Sequence, residues 1–206
     1  MEAVDLAMIQ DNLSTGFWDY LQGIVPIHYK WGKKLSNDEI MSHSLDIEEP
    51  ISRIPKSMAG SAVKIFRDVL DYAEGQESSM GQGPKPLKDD HLKSFLDAVS
   101  MQHAKFRDEA FLQLIKQIRN NTGDESVKSV WNMFAALASS CSPSKEFLNP
   151  MMWWLMNNIE NAQSSLDKHM SKYVLAKVYY GYKLRVRRSF PLTADEIRTC
   201  KGKAFS

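Results

Sequence analysis

Apolar residues in this chain recur at three- and four-residue spacing almost throughout and nowhere alternate over five or more residues, which restricts the fold more than any other property. "SMAGSAVKIFRDVLDYAEG" (57–75) places apolar or small side chains at 59, 62, 63, 66, 70 and 73 and stops at Gly75. The Gly-, Ser- and Pro-rich "GQESSMGQGPKP" follows. It separates that stretch from "KDDHLKSFLDAVSMQH", whose opening acids suit a helix N-terminus and whose Leu92, Phe95, Leu96 and Val99 share one side. Another helix covers 105–121. Thr122-Gly-Asp-Glu125 then reads as a capping box for a helix carrying Val127, Val130, Trp131, Phe134, Leu137 and Ala138. Ser142 reads as the next N-cap, with Pro143 at the first helical position. A long helix over roughly 165–186 and a short one opened by a second box, Thr193 to Glu196, close the chain. Residues 1–37, with "GFWDYLQGIVPIHYKWG", read as an aromatic, loop-like extension packing on a helical domain over 38–206. The expected fold class is all-α: a compact bundle of about six to eight helices with an N-terminal extension.

A chain of 206 residues can bury a full core, and 43% hydrophobic with 25% charged residues argues against disorder. The longest purely apolar run, "MMWWLM" (151–156), falls far short of the roughly 20 residues a membrane helix needs. The opening "MEAVDLAMIQDNL" has no basic region of the kind a signal peptide starts with. Cys141 and Cys200 are too few for a disulfide framework and suit a reducing, intracellular setting as small core residues.

The net charge of +1 hides an asymmetry. Residues 167–206 hold ten Lys/Arg against three acids, so the rest of the chain is net acidic. The basic end is the place to expect an acidic partner.

Sources of catalysis are scarce. His28, His43, His91, His103 and His169 are scattered without metal-ligand spacing, and the sequence holds no phosphate-loop, nucleophile-elbow, zinc-protease or C-x-x-C motif. "GQGPKP" has a Pro where a phosphate-binding loop should open a helix. The pairs Asp89-Asp90 and Glu48-Glu49 read as solvated or helix-start acids. Neither a catalytic residue, a cofactor nor a metal is expected. Nucleic acid is not expected as a partner either, because the basic residues are not interleaved with stacking aromatics.

One helix poses a question. In "KFRDEAFLQLIKQIRNN" (105–121), Phe111, Leu114, Ile115 and Ile118 share an arc, and Arg107 falls near its middle. A buried guanidinium needs partners, either a ligand or neighbouring carbonyls and carboxylates. Asp108 and Glu109 point elsewhere on the wheel and suit the positive end of the helix. Trp131 and Phe134 read as core. Trp153 and Trp154 are adjacent, so they cannot be buried equally, and one should meet the Phe17, Trp18, Tyr20 stretch or a partner.

These residues resemble the myosin-tail-homology 4 (MyTH4) family. "FRDEAFLQLIKQIRNN" is close to that family's L-R-D-E-x-x-x-Q-L-x-K-Q-x-x-x-N signature. "IMSHSLDIEEPISRIP" (40–55), "AVKIFRDVLDYAEG" (62–75), "VWNMFAALASSCSPSKEFLNPMM" (130–152), "YVLAKVYYGYKL" and "RRSFPLTADEI" resemble its other segments. The ending "EIRTCKGKAFS" is most like members that continue into a Rho GTPase-activating domain. Val130, where many members have Gly, and Ala73-Glu74-Gly75, where Met-Gly-Asp is common, depart from the pattern.

The resemblance implies a non-catalytic interaction module of a longer cytoskeletal or Rho-signalling protein, cytoplasmic and cytoskeleton-associated. It favours Arg107, Asp108, Glu109 and Trp131 as a structural motif. It also implies microtubules, with their acidic tubulin tails, or another cytoskeletal protein as partner. The alternative is a scaffold part of a Rho GTPase-activating protein, docking on a receptor cytoplasmic tail or on its own GTPase-activating domain. The expected binding surface is a basic strip of Lys168, Lys172 and Lys183, continued by Arg185, Arg187 and Arg188. It lies opposite Tyr173, Val174, Tyr180 and Leu184, with Lys177 on the apolar side.

Overall fold

The computed structural model describes residues 13, 16–30, 33–74, 88–183, 192, 193, 195, 196 and 199. Eight helices stand among them: α1 (Phe17–Ile24), α2 (Asn37–Ile40), α3 (Lys56–Glu74), α4 (Lys88–Val99), α5 (Ala104–Ile118), α6 (Asp124–Ser140), α7 (Lys145–Asn161) and α8 (Ser165–Lys183). A two-stranded antiparallel ribbon, β1 (Tyr29–Lys30) and β2 (Lys33–Lys34), pairs Tyr29 with Lys34 and Lys30 with Lys33. The all-α expectation holds. The long helices follow their apolar spacing, and α3 begins and ends within one residue of the range read from sequence.

The core is organised around α6, which packs against α3, α4, α5 and α8, while α7 lies between α8 and α1. Trp131, fully buried, stacks on Phe134 at 5.6 Å and on Trp154 of α7 at 6.0 Å. Phe111 of α5 meets Phe134 at 5.7 Å. Such aromatic clusters bury large apolar areas and add favourable ring geometry.

Residues 17–24, read from sequence as loop-like, are helical. Phe17 and Leu21, four positions apart, are both fully buried, so docking on α7 supplies what a two-turn helix lacks alone. Phe17 lies 6.4 Å from Trp154, and Tyr20 stacks on Phe147 at 5.3 Å. The Trp pair therefore splits: Trp154 sits in the core, and Trp153 lies half-buried beside Gly16.

Two helix starts differ from the sequence reading. The N-cap of α6 is Gly123, not Thr122, and no side chain caps it; Asn121 Oδ1 instead accepts from Gly123 N at 2.9 Å. Asn120, with φ of 57°, has just turned the chain out of α5 in the left-handed conformation that Asn tolerates. For α7 the cap is Ser144, not Ser142: its Oγ accepts from Phe147 N at 3.1 Å. The Ser144 N–H donates to Asp108 Oδ1 at 2.7 Å, and the Ser142 carbonyl accepts from Arg107. Tertiary bonds thus hold residues 142–144 outside the helix. The box at the end of the chain does form, with Thr193 N donating to Glu196 Oε2 at 2.9 Å and Glu196 N to Thr193 Oγ1 at 3.3 Å.

Candidate partner-binding site

Helix α5 has no wet face: every residue from Asp108 to Ile118 is buried. It packs on α3, α4 and α6, and the irregular segment 41–55 covers its remaining side. An amphipathic wheel presumes one solvated arc, so it could not tell which polar residues here are internal. Their partners are main-chain groups brought from far along the sequence.

Glu109, 0% exposed, collects four donors. Its Oε1 accepts from Ile51 N at 2.8 Å and Gln113 Nε2 at 2.9 Å, and its Oε2 from Ser52 N at 2.8 Å and Ser52 Oγ at 2.6 Å. Burial pushes its carboxyl above the ordinary value, while the donors from Ser52, Gln113 and Ile51 oppose the shift. Burial likewise raises Asp108, against the Ser144 donors. Both acids bind chain segments in the interior and are not surface groups serving the helix dipole. Arg107 donates from Nε to the Ser142 carbonyl at 3.0 Å and from Nη1 to the Gln102 carbonyl at 2.6 Å, bridging the α4–α5 and α6–α7 connections. Trp131 Nε1 donates to Asp167 Oδ1 at 2.7 Å, tying α6 to the first turn of α8.

Three further residues of this helix, to which sequence reasoning assigned no role, extend the network. Gln113 Nε2 also reaches the Ala62 carbonyl at 3.0 Å. Lys116 Nζ donates to the carbonyls of Ile40 and Ser42, at 2.7 and 2.5 Å, and Gln117 Nε2 to that of Ser44 at 2.7 Å. Just past the helix, Arg119 pairs with Asp38 at 2.7 Å, and its guanidinium lies 4.6 Å from the Trp18 ring. The available signal was a polar residue at nearly every turn of a helix whose apolar residues already claim the core.

Cys141 is half-buried, and burial pushes its thiol up to about 12, far from a nucleophile's range. Among the described residues no three His, Cys, Asp or Glu side chains converge as metal ligands, and no helix is long and apolar enough to cross a membrane.

Of the basic strip, Lys172 and Lys183 are exposed on α8 and Lys168 is half-buried, while Tyr173, Val174, Leu175 and Val178 of the same helix are buried. Lys183 lies 5.5 Å from the Tyr179 ring. Lys177, expected on the apolar side, is half-buried with its Nζ 5.3 Å from the Tyr173 ring. Arg185, Arg187 and Arg188 lie outside the described residues. Tyr182, 44% exposed, adds an apolar surface beside Lys183.

The polar motif of this helical bundle is spent on its own chain, and α8 carries an exposed basic surface. The family model of the MyTH4 domain matches residues 94–199, more than half of the chain, and the chain belongs to that family. It is 30% identical over 122 residues to kinesin-like protein KIN-14E of Arabidopsis thaliana, and 27% identical over 123 residues to the high molecular weight form of myosin-1 of Acanthamoeba castellanii. Those matches take in 59% and 60% of this chain but only 10% and 7% of the two relatives. In fold it is similar to the MyTH4-FERM MF2 domain of Dictyostelium discoideum myosin VII, at a TM-score of 0.74 and 16% identity over 93% of this chain and 41% of that one. The human myosin 7b C-terminal MyTH4-FERM domain, solved in complex with the harmonin-a PDZ3 domain, matches at 0.65 and 14% identity, over 85% of this chain and 38% of that one.

Proposed function

We propose that this chain is a non-catalytic, cytoplasmic interaction module of a cytoskeletal protein. It would bind the acidic surface of microtubules through α8 and the residues after it: Lys168, Lys172, Lys183, Arg185, Arg187 and Arg188. The observation that carries this reading is the division of α8. Its buried side is locked into α6 and α7, so Lys172 and Lys183 project from a rigid support into solvent. Fixed like charges on one face attract an oppositely charged partner over about a Debye length, roughly 8 Å at physiological salt. The two curated relatives are a myosin and a kinesin-like protein, which supports a cytoskeletal setting. The second reading, a scaffold segment of a Rho GTPase-activating protein, is supported by the resemblance of the chain's ending.

The test is co-sedimentation with taxol-stabilised microtubules across a salt series, with Lys172→Glu/Arg185→Glu/Arg188→Glu beside the wild type. Saturable pelleting that weakens with salt and is lost in the triple variant, at unchanged helicity, is the expected result. No pelleting at low salt refutes the microtubule reading and turns the search to an adjoining GTPase-activating domain or a receptor tail.

A further inference from the structure

Segment 41–55 has no regular secondary structure, yet it is anchored along its length. Lys116 holds the Ile40 and Ser42 carbonyls, Gln117 the Ser44 carbonyl, and Asn120 Nδ2 the Ser42 hydroxyl at 3.0 Å. His43 N donates to the Arg119 carbonyl at 2.9 Å, Glu109 takes the N–H groups of Ile51 and Ser52, and Arg53 N reaches the Ile24 carbonyl at 2.9 Å. Unstructured connections of about a dozen residues or more are uncommon in bundles and are usually functional. A segment fixed from beneath in this way presents its outer side at little entropic cost to binding.

That outer side is a groove of about 480 Å³ floored by Leu35, Ile40, Ile47 and Ile51. Its acids are Glu39, Asp46, Glu48 and Glu49; Lys116, which also reaches the groove, is bound to the Ile40 and Ser42 carbonyls, and His28 and His43 complete the titratable lining. Glu39 is bound to Lys33 and Ser36, and Glu49 lies 2.9 Å from His28 Nδ1. The carboxylates of Asp46 and Glu48 are exposed and have no ion-pair or hydrogen-bond partner among the described residues. Leu45 and Ile27, 67% and 57% exposed, stand next in the chain to lining residues without lining the groove themselves. An apolar floor with unpaired carboxylates at its edge matches an extended segment that alternates large apolar side chains with Lys or Arg.

The geometry points to a second docking site in this groove, one that takes a basic, apolar-alternating peptide segment of a partner protein. Its charge is opposite to that of the α8 surface, and its supporting elements, α2 and α5, are different ones. The domain therefore joins an acidic partner on one surface to a basic one on another.

The experiment is a titration of the ¹⁵N-labelled full chain with a short peptide alternating lysine and leucine. Glutamate–leucine and lysine–glycine peptides serve as controls, and affinities come from fluorescence anisotropy. Expected are saturable amide shifts confined to residues 27–51 and clearly weaker binding of both controls. Asp46→Lys/Glu48→Lys should weaken the affinity by about tenfold or more, and Lys172→Glu should leave it unchanged. Both altered acids are exposed, and circular dichroism checks that the variant folds. Shifts mapping to α8, equal binding of the glutamate peptide, or an unchanged affinity in the double variant would overturn the site. Concentration-dependent self-association abolished by the double variant would overturn the partner assignment and make a second copy of the chain the occupant.

Discussion

Substituting Glu109 is the sharpest test of how α5 holds the fold together. In Glu109→Leu the N–H groups of Ile51 and Ser52, the Ser52 hydroxyl and one Gln113 amide hydrogen bond lose their acceptor together. Each buried donor left unpaired costs about 1–3 kcal/mol, less where relaxation admits water. Because the four share one site their costs do not add in full, and about 3–5 kcal/mol is the expected total. Against a domain stability of roughly 5–15 kcal/mol this is a large share. Glu109→Gln keeps one acceptor oxygen and turns an NH₂ toward donors, for an intermediate loss of about 2–3 kcal/mol. Urea unfolding followed at 222 nm, with a slope of about 2 kcal/mol/M, should move its midpoint down by roughly 1 M for Gln and about 2 M for Leu. Hydrogen exchange adds a local signature: the amides of Ile51 and Ser52 should lose protection in Glu109→Gln before those of α6 do. The pH dependence has a definite sign. Burial raises Glu109 above its ordinary value, so on acidification the folded protein takes up that proton before the unfolded chain does. The pH-dependent part of the Glu109 contribution is therefore lost as pH rises through the folded value and fully present below the ordinary one, in addition to what the hydrogen bonds supply. Wild type should accordingly gain on Glu109→Gln as pH is lowered through the folded value of Glu109 toward its ordinary one. A Gln variant within about 0.5 kcal/mol of wild type, or Ile51 and Ser52 amides that exchange freely in the wild type, would refute the clamp.

Two more outcomes follow from the local chemistry. Ser144→Ala removes the side-chain cap of α7 and should cost about 1 kcal/mol in thermal or urea unfolding, whereas Thr122→Ala, at a position that makes no cap bond, should stay within about 0.5 kcal/mol. The backbone and hydroxyl of Ser36, with Lys33, hold Glu39 down to about 2. The stability it contributes is present above its ordinary value and lost as pH falls through the folded one. The difference in melting temperature between wild type and Glu39→Gln should therefore shrink between pH 5 and pH 2, and a difference that stays constant over that range would contradict the capping-box geometry.

Local signals in the sequence were sufficient for the long helices, though not for all of their caps. The spacing of Ala62, Phe66 and Ala73 marks α3, and the box at Thr193 is built from neighbours in the chain, as is one at Ser36 that the sequence reading passed over. Such features depend on backbone conformation within one or two turns, so a single stretch of sequence carries all the information they need. The family signature was legible in the same way, as residue types at fixed spacing.

What tertiary structure alone decided is the work those signature residues do. Glu109 meets Ser52, Lys116 meets Ile40 and Gln117 meets Ser44 across more than fifty residues of chain, and no periodicity encodes such a partner. The same holds for α1, which becomes a helix against α7, and for Ser142, which Arg107 holds outside the helix it was expected to cap. A side chain's polarity is fixed by its composition, but its burial and its partner are set by which elements close around it. In this domain they close around α5 on every side, and the groove of segment 41–55 exists because they do.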